Sequence, residues 1–389
     1  MTEGVFLQNR RDRAWAEVSL DRIAQNYDRM RGYLRAGCEI IAVLKANAYG
    51  HGAPAVGRLL EEKGCTLFAV ASFEEAEELR EHGVTMPILC LSPVPERQIG
   101  EAARRKILLP VTESAYARLL SRKAGEYGMP VACFLMLDCG LTRFGIRIEG
   151  RRAEALEEVK AVAALPGLRI HSVMAHLTAG GVLEQDALNR RQLELFRGFC
   201  GELEAAGIRL PKHCCASRFA VRYPEYQFDF VRIGSDLFGV HPSYDVGPEF
   251  LPAMQLRVRI AQIKEVPAGT YVGYGPLYRT QRETRVAVLP IGYVDGLGTR
   301  LGNRMQMLLH GRRVDQIGRL CMDYCMIDVT DVPRAQIGDI VTVFGEDGGT
   351  LLSVQEHAQL YSGTASELIC LLGRRIPRLY YRGGWEITT

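Results

Sequence analysis

Residues 40–52 of the 389-residue chain read IIAVLKANAYGHG, an apolar run that ends in a lysine and a glycine-rich turn. The run from Ile40 to Leu44 has the length and the aliphatic composition of a strand buried on both faces. A helical pattern from Pro54 to Lys63 follows it, with its proline in the first turn. A buried strand joined at once to a helix is the repeating unit of a parallel sheet.

The same alternation of apolar runs and helical patterns continues along the chain. Seven further runs are predicted strands: Leu67 to Ala71, Ile88 to Leu91, Ile107 to Val111, Val131 to Leu137, Leu168 to Met174, Lys212 to Cys215 and Phe228 to Val231. Ser72 is the predicted cap of the helix from Phe73 to Glu81. Eight strands with helices between them favour an α/β fold with a closed (β/α)8 barrel, and a doubly wound open sheet is the alternative.

The secondary-structure pattern of the sequence changes after His241. Helical periodicity ends there, and short strand-like runs are separated by turn residues, as in the Gly-Gly pair at 348–349. This pattern predicts a mainly antiparallel β domain. We therefore expect a barrel domain over residues 14–241 and a β domain over 242–389, with residues 1–13 packing against the second. The short run from Ala14 to Leu20 is a strand that could pair with either domain.

Composition narrows the class of ligand. The 48 Lys and Arg nearly balance the 45 Asp and Glu, which disfavours nucleic acid or an anionic surface as the main partner. No apolar run approaches the ~18 residues that cross a bilayer. The 11 cysteines are an odd number in a chain without an export signal, so reduced thiols and a cytoplasmic location are expected. No pattern indicates a metal site, and a small molecule is the predicted ligand.

Polar residues stand at the ends of the predicted barrel strands, where barrels place their chemistry. Lys45 follows the first strand, and burial in the barrel mouth would lower its pKa and make its amine nucleophilic. Arg143 follows the fifth strand, and its guanidinium suits a carboxylate or a ring oxygen. His176 follows the sixth. Each residue alone is more often an ordinary loop residue than a functional one, but several at one rim indicate a site.

The loops after the seventh and eighth strands are where barrels tend to bind phosphate. Ser217 follows the seventh strand, and Arg232, Gly234 and Ser235 belong to the end of the eighth. A phosphate-bearing cofactor whose aldehyde is captured by a lysine indicates pyridoxal phosphate.

Five ordered segments carry a resemblance to a known family: Ala42 to Gly52 (AVLKANAYGHG), Phe228 to Gly234 (FDFVRIG), Val272 to Gly275 (VGYG), Leu289 to Gly296 (LPIGYVDG) and Gly318 to Ile327 (GRLCMDYCMI). On these segments the chain resembles the alanine racemases, two-domain pyridoxal-phosphate enzymes built on a TIM-type barrel. The segments span nearly the whole chain, from about Ala14 to Arg378.

The resemblance implies a homodimer that racemises a small amino acid, most simply alanine, and so supplies D-alanine for the cell wall or for a more specialised pathway. Lys45 would bind the cofactor covalently and act as the base on one face, and Tyr274 of the second subunit would be the acid/base on the other. Arg143 would bind the substrate carboxylate, and Met322 of the second subunit would offer its backbone N–H.

The resemblance also implies how the cofactor is held. Tyr49, Ser217, Gly234 and Ser235 would hold the phosphate, and His176 would lie along the pyridine ring. Arg232 would face the pyridine nitrogen and, because a guanidinium cannot give up its proton at neutral pH, would keep that nitrogen unprotonated. Tyr293 and Asp323 match pocket positions of less defined role.

Two positions depart from the family pattern. Met136 stands where the family commonly has a carbamylated lysine that orients Arg143, so an anion orients this arginine or its orientation is looser. Ser366 stands where the family has a tyrosine in the pocket wall. The second departure suggests a roomier pocket that admits serine as well as alanine, a hypothesis that undetectable serine racemisation would exclude.

Three other interpretations of the function are alternatives to an alanine racemase. A barrel-type amino-acid decarboxylase shares the lysine and the two domains, but it places an acidic residue where this chain has Arg232. A non-catalytic pyridoxal-phosphate carrier resembles the barrel alone and has no use for Tyr274. A barrel without cofactor would give a colourless protein.

Overall fold

The computed structural model describes residues 11–178, 185–240 and 249–387. Eight parallel strands form its first sheet: Glu39–Val43, Leu67–Val70, Ile88–Cys90, Ile107–Val111, Val131–Asp138, Leu168–Ala175, Lys212–His213 and Phe230–Ile233. All eight predicted strands are present, each within about two residues of its expected bounds. A ninth, two-residue strand, Ile146–Arg147, pairs with Val131–Asp138 and was not predicted.

The first sheet closes on itself. The eighth strand pairs with the first, with Val231 beside Ile40. On its other side the eighth strand donates to the seventh, from Asp229 N to Lys212 O at 3.1 Å and from Arg232 N to Cys215 O at 3.0 Å. The closed ring confirms the (β/α)8 barrel and excludes the open sheet.

Two layers of apolar side chains build the barrel. Inside the ring, Ile41, Leu89, Phe134 and their neighbours form a small cluster of their own. Outside it, the strands pack on helices Leu20–Gly32, Ala53–Glu62, Phe73–Glu81, Glu96–Arg104, Ser114–Tyr127, Arg152–Ala163, Asp186–Ala205 and Ser217–Arg222. The inner cluster fills the barrel, so only its carboxyl-terminal mouth is left to hold a ligand.

The second sheet is mainly antiparallel, as predicted. Its strands are Ala14–Ser19, Met254–Arg259, Gln262–Val266, Thr284–Leu289, Gln306–Leu309, Arg312–Ile317, Cys325–Asp328, Ile340–Asp347, Thr350–Leu352, Arg378–Arg382 and Trp385–Ile387. The strand Ala14–Ser19 lies inside this sheet, antiparallel to Met254–Arg259 and parallel to Arg378–Arg382. The expected barrel domain, 14–241, therefore includes a strand of the second sheet.

Helices are not confined to the barrel half. Val354–Tyr361 and Ala365–Cys370 follow the strands of the second sheet, each begun by a serine or threonine cap. The expectation that helical structure ends at His241 is therefore wrong. Short 3-10 helices occur in both halves, at Pro224–Tyr226, Ser235–Phe238, Tyr293–Asp295 and Thr299–Leu301.

The start of the described chain packs on the second half. Arg11 donates to Tyr381 Oη at 2.7 Å, and Arg13 donates to both carboxylate oxygens of Asp295. Residues 1–10 and the predicted domain boundary at 241/242 lie outside the described residues, so the exact domain division stays a prediction. None of the described helices has the length and apolarity to cross a membrane.

Candidate active site

The carboxyl ends of the barrel strands surround a cavity of about 210 Å³. All eight barrel residues predicted for the site line it: Lys45, Tyr49, Arg143, His176, Ser217, Arg232, Gly234 and Ser235. They come from five strand ends that are far apart in the chain. The closed ring brings them together because every strand points its carboxyl end to the same mouth.

Lys45 is followed by an unusual turn of backbone. Ala46, Asn47, Ala48 and Tyr49 have φ between 50° and 54°, which makes one turn of left-handed helix. This conformation costs L-residues roughly 1–2 kcal/mol each, so the surroundings must hold it in place. The turn reverses the chain between the first strand and its helix and points Lys45 and Tyr49 into the same cavity.

Side chains from several elements hold this turn, which we call the lysine turn (residues 45–50). Ala46 N donates to Glu75 Oε1 at 2.6 Å, and Ala53 N donates to Asn47 Oδ1 at 2.7 Å. Arg378 Nε donates to Gly50 O at 3.0 Å.

His51 adds a contact from within the segment. Its Nδ1 lies 3.1 Å from Ala48 O and 3.0 Å from Tyr49 O, and its ring stacks on Phe238. Burial lowers its pKa to about 4, so the ring is neutral and donates its single Nδ1 proton to those carbonyls.

The Lys45 amine is held in a form suited to nucleophilic chemistry. Burial lowers its pKa, and the positive charge of Arg143 lowers it further. The amine lies 6.0 Å from the centre of the Tyr49 ring. Burial also raises the pKa of Tyr49 to about 12, so that hydroxyl stays protonated and can donate a hydrogen bond.

One end of the cavity is lined by hydroxyl groups and a glycine. Ser217 begins the helix Ser217–Arg222, and Ser235 begins the 3-10 helix after the eighth strand. Gly234 N donates to Ser217 Oγ at 3.3 Å. A Cβ added to Gly234 would lie 2.5 Å from Tyr49 Oη, so only glycine lets the tyrosine reach this backbone.

Arg232 forms the floor of the cavity and is 4% exposed. Its two Nη atoms donate five hydrogen bonds of 2.8–3.1 Å, to Ala175 O, Cys214 O, His213 O and the Nδ1 atoms of His213 and His176. No described residue accepts a hydrogen bond from its Nε. That donor is therefore left for a molecule in the cavity.

The two histidines beside Arg232 are kept neutral. Burial, with help from the Arg232 charge, lowers the pKa of His176 to about 3. The same two causes lower the pKa of His213 far below its usual range. Since each accepts from Arg232 at Nδ1, each carries its proton on Nε2, and that of His213 lies 3.1 Å from Ser172 Oγ.

Arg143 is exposed at the rim of the cavity, and none of the described residues forms a hydrogen bond or an ion pair with it. Met136, which the resemblance matches with a lysine of the family, is 5% exposed and lines the same cavity without offering Arg143 a partner. The guanidinium is thus open to a ligand, and whether an anion orients it stays a prediction.

The two residues predicted to come from a second subunit are not in this cavity. Tyr274 is 69% exposed and Met322 is 52% exposed. Both line a surface cavity of the second half, which also includes Tyr293 and Asp323. Within one chain, therefore, the structure forms two separate groups of predicted site residues.

Ser366 is half-buried in the helix Ala365–Cys370 and is not among the residues that line the Lys45 cavity. Its Oγ donates to Val240 O at 3.1 Å. The hydroxyl is thus engaged by the backbone, and the effect of this residue on the substrate stays a prediction.

Several residues that support the site were not predicted from the sequence. Glu75 could have been suspected because it completes a capping box with Ser72. His213 could not, because it lies inside the predicted strand from Lys212 to Cys215 and the structure ends that strand at His213. The contact of Arg378 with Gly50 spans 328 residues. Nothing in the sequence pattern indicates it.

The comparisons with known proteins cover both halves of the chain. The family description "Alanine racemase, N-terminal domain" matches residues 18–242, and "Alanine racemase, C-terminal domain" matches residues 253–380. The chain belongs to the alanine racemase family. It is 36% identical over 379 residues to the alanine racemase of Desulfosudis oleivorans, covering 95% of this chain and 97% of that protein. It is 35% identical to that of Methanococcus maripaludis, covering 94% and 98%.

Solved structures of the alanine racemase family share the fold. The alanine racemase of Clostridium difficile 630 matches with a TM-score of 0.91 and 30% identity, over 96% of this chain and 97% of that one. The alanine racemase of Bacillus anthracis with bound L-Ala-P matches with a TM-score of 0.89 and 32% identity, over 97% of each chain. Agreement over both sheets extends the family membership from sequence to structure.

Proposed function

We propose that this protein interconverts L- and D-alanine with pyridoxal phosphate as cofactor. The observation that carries the proposal is the single cavity lined by Lys45, Arg143, Arg232 and the hydroxyl end. Membership in the alanine racemase family over both halves of the chain supports the same reaction.

The donor groups of the cavity fit this cofactor at three places. Ser217, Ser235 and Tyr49 offer hydroxyl donors for a phosphate, beside the glycine backbone at 234. Lys45 offers an amine for the aldehyde, and the remaining Nε–H of Arg232 suits a ring nitrogen. When bound, pyridoxal phosphate supplies an aldehyde that condenses with the substrate amine and withdraws electrons from the α-carbon.

Three side chains of the cavity would bind the substrate carboxylate, transfer the α-proton and contact the cofactor ring. Arg143 would hold the substrate carboxylate by paired donation, which keeps that group in place while the α-proton moves. Lys45, whose pKa is lowered, would accept or return a proton on one face of the α-carbon. Arg232 cannot exchange a proton at neutral pH, so it would donate a hydrogen bond to the ring nitrogen of the cofactor without protonating it.

Racemisation requires a second proton carrier on the opposite face, because one carrier would often return the proton to the side it left. We assign that role to Tyr274 of a second copy of the chain, with Met322 beside it. Exposed apolar side chains around Tyr274, among them Tyr271, Leu277 and Tyr324, each 52–60% exposed, support burial of this surface in a homodimer.

The test is a racemisation assay on the purified protein. Incubation with L-alanine should produce D-alanine until the two are equal, and Lys45→Ala should abolish the reaction. Tyr274→Phe should lower kcat by roughly 10²- to 10⁴-fold. Racemisation at full rate by Tyr274→Phe would overturn the assignment. Borohydride reduction followed by peptide mapping should place the cofactor on Lys45.

Serine is the second candidate substrate, because the family resemblance puts Ser366 at the position of a pocket-wall tyrosine, although Ser366 does not itself line the Lys45 cavity. Alanine and serine should be assayed side by side with the wild type and with Ser366→Tyr. The hypothesis predicts serine turnover that falls in the variant while alanine turnover remains. Release of CO₂ from either amino acid would instead favour the decarboxylase reading.

We also propose a cytoplasmic location. All 11 cysteines are unpaired thiols, and eight of them are buried. Such thiols are typical of reducing compartments. Retention of the protein with the soluble cytoplasmic fraction on cell breakage would support the proposal, and its release with a periplasmic or extracellular fraction would contradict it.

A further inference from the structure

A buried carboxylate links the start of the described chain to two separate parts of its second half. Asp295 has no exposed surface, yet its carboxylate accepts from Arg13 Nη1 at 2.9 Å and Nη2 at 2.8 Å. Gly292 N donates to it at 3.1 Å, and Arg375 Nε lies 3.3 Å from it. A buried carboxylate is expensive to leave unpaired, so these contacts fix the geometry around it.

The contacts of Asp295 extend to the surface that carries Tyr293 and Met322. Arg375 Nη1 donates to Asp323 Oδ1 at 2.7 Å. Tyr293 N donates to Cys321 O at 3.1 Å, and Val294 N donates to Met322 O at 3.1 Å. We call these two joined segments, residues 292–296 and 321–323, the outward loops.

Glycine allows the outward loops to pack this closely. A Cβ on Gly292 would lie 2.3 Å from Met322 O. Neither loop, and not Asp295, lines the cavity of the chain's own Lys45. The carboxylate therefore orders part of a surface cavity that is separate from the cavity of its own Lys45.

The same C-terminal segment has a second set of contacts directed at the chain's own lysine turn. Arg378 donates to Leu372 O, Gly373 O and Ile376 O at 2.7–2.8 Å, which shapes the segment 372–378. Its Nε donates to Gly50 O, at the end of the lysine turn. Arg375 and Arg378, three residues apart, thus contact different groups: Arg375 contacts the outward loops, and Arg378 contacts the lysine turn.

We infer that Asp295 is a positioning residue for the active site of the partner subunit, whereas Arg378 positions the lysine turn of its own subunit. The inference rests on the proposed function, in which Tyr274 and Met322 enter the partner's site. Loss of the Asp295 charge would leave Arg13 and Arg375 without their shared partner and release the outward loops. The defect would appear in the neighbouring site, while the chain's own Lys45 stays intact.

Hybrid dimers distinguish action on the partner from action within one chain. Two variants carrying different affinity tags are co-expressed, and the mixed dimer is isolated by sequential purification on both tags. In a dimer of Lys45→Ala with Tyr274→Phe, one of the two sites has both an intact lysine and an intact tyrosine. This reference dimer should have about half the wild-type rate, because one site of the symmetric pair is complete.

Asp295→Asn homodimers should lose roughly 10- to 100-fold in kcat, since small misplacements of a reacting group have effects of that size. Their cofactor absorbance should remain. The hybrid of Asp295→Asn with Lys45→Ala should recover the rate of the reference dimer, because its one lysine-bearing site receives outward loops from the other, intact chain.

Arg378→Lys is the matched control, since its contact lies within its own subunit. Its hybrid with Lys45→Ala should not recover and should have about half the rate of the Arg378→Lys homodimer, because only one of its two weakened sites keeps a lysine. Arg375→Gln, at a half-exposed residue, gives a second variant that tests the outward loops if Asp295→Asn folds poorly, and it should be rescued like Asp295→Asn.

The outcomes separate the two proposals. If the reference dimer is active but the hybrids of Asp295→Asn and Arg375→Gln stay weak, the positioning role of Asp295 is contradicted. The proposal of a site shared between two subunits is then still supported by the reference dimer. If the reference dimer itself is inactive, the shared site of the proposed function fails and the inference fails with it.

Discussion

Arg232 shows how one residue can organise a whole cavity floor. Its terminal nitrogens reach five acceptors at the ends of two barrel strands, and they set the protons of two histidines. A planar guanidinium holds several donors in a fixed fork, which suits acceptors divided between two neighbouring strands.

Arg232→Lys keeps the charge but should fail to hold the site. An ammonium has three donors, so at least two acceptors lose a partner, at about 1–3 kcal/mol for each buried group. We expect a lower urea midpoint together with a changed cofactor absorbance spectrum. Arg285→Lys is the control, because Arg285 donates to the carbonyls of Val332, Pro333 and Ala335 and does not line the cavity. Its spectrum should stay unchanged, and an unchanged spectrum in Arg232→Lys would contradict the role given to Arg232.

The pKa of Lys45 gives a prediction with a definite sign. Burial and the Arg143 charge both lower it, so the neutral, reactive amine appears at a lower pH than in a free lysine. Arg143→Gln removes one of these causes, and the pH at which apoprotein captures pyridoxal phosphate at half its maximal rate should move upward. Stopped-flow absorbance across a pH series measures it.

Arg147→Gln is the control for that series. Arg147 is also exposed, and it does not line the cavity. Its profile should match the wild type, whereas a midpoint in Arg143→Gln that moves downward or not at all would show that the Arg143 charge does not act on Lys45.

Sequence position alone predicts Lys45, Arg143, His176 and Ser217 at this scale, because each follows a strand whose end can be located. It does not predict that Arg232 binds His213, since two residues on neighbouring strands meet only when the register between those strands is known. Residues that face the cavity follow strand ends and can be predicted from the pattern, whereas a supporting contact between neighbouring strands, such as that of Arg232 with His213, cannot.

At the scale of elements, the lysine turn is the feature on which the site most depends. Gly50 ends it with a φ of 82°, and a Cβ there would lie 2.6 Å from Ile369 O, a backbone atom that cannot swing away. Gly37 has nearly the same φ, 81°, but nothing lies within 4 Å of the place a Cβ would take.

These two glycines form a matched pair of variants. Gly37→Ala and Gly50→Ala both carry the left-handed penalty of about 1 kcal/mol. Gly50→Ala should lose roughly 1–3 kcal/mol more from overpacking and should bind the cofactor weakly. Urea denaturation and absorbance titration with pyridoxal phosphate measure both effects. Equal losses in the two variants would show that the contact with Ile369 is unimportant.

The eight barrel strands were predictable because each is a short apolar run set between helical patterns. The sheet to which Ala14–Ser19 belongs was not predictable, because the sequence of a strand buried on both faces does not show which strands it pairs with. The two late helices were missed since six to eight residues give too few repeats for periodicity to be recognised.

At the scale of the whole molecule, the two groups of site residues lie in separate places on one chain. The proposed dimer therefore predicts that cofactor binding and catalysis respond differently to dilution. All residues that fit the cofactor belong to one barrel, so the cofactor absorbance should persist below the dimer dissociation constant. Specific racemase activity should fall there, as measured by enzyme assays and analytical ultracentrifugation over the same concentrations.

Chemically cross-linked dimer is the control for dilution, and it should keep its specific activity throughout. If uncross-linked protein is shown to be monomeric and remains fully active, each chain contains a complete site and Tyr274 has another role.

The parallel pairing of Ala14–Ser19 with Arg378–Arg382 places the two ends of the chain side by side. During synthesis on the ribosome, the barrel has all eight of its strands long before the last strands emerge, so it can close early. The first strand must wait for a neighbour that is translated about 360 residues later. A product terminated before Arg378 would therefore contain all eight barrel strands and leave one edge of Ala14–Ser19 unprotected.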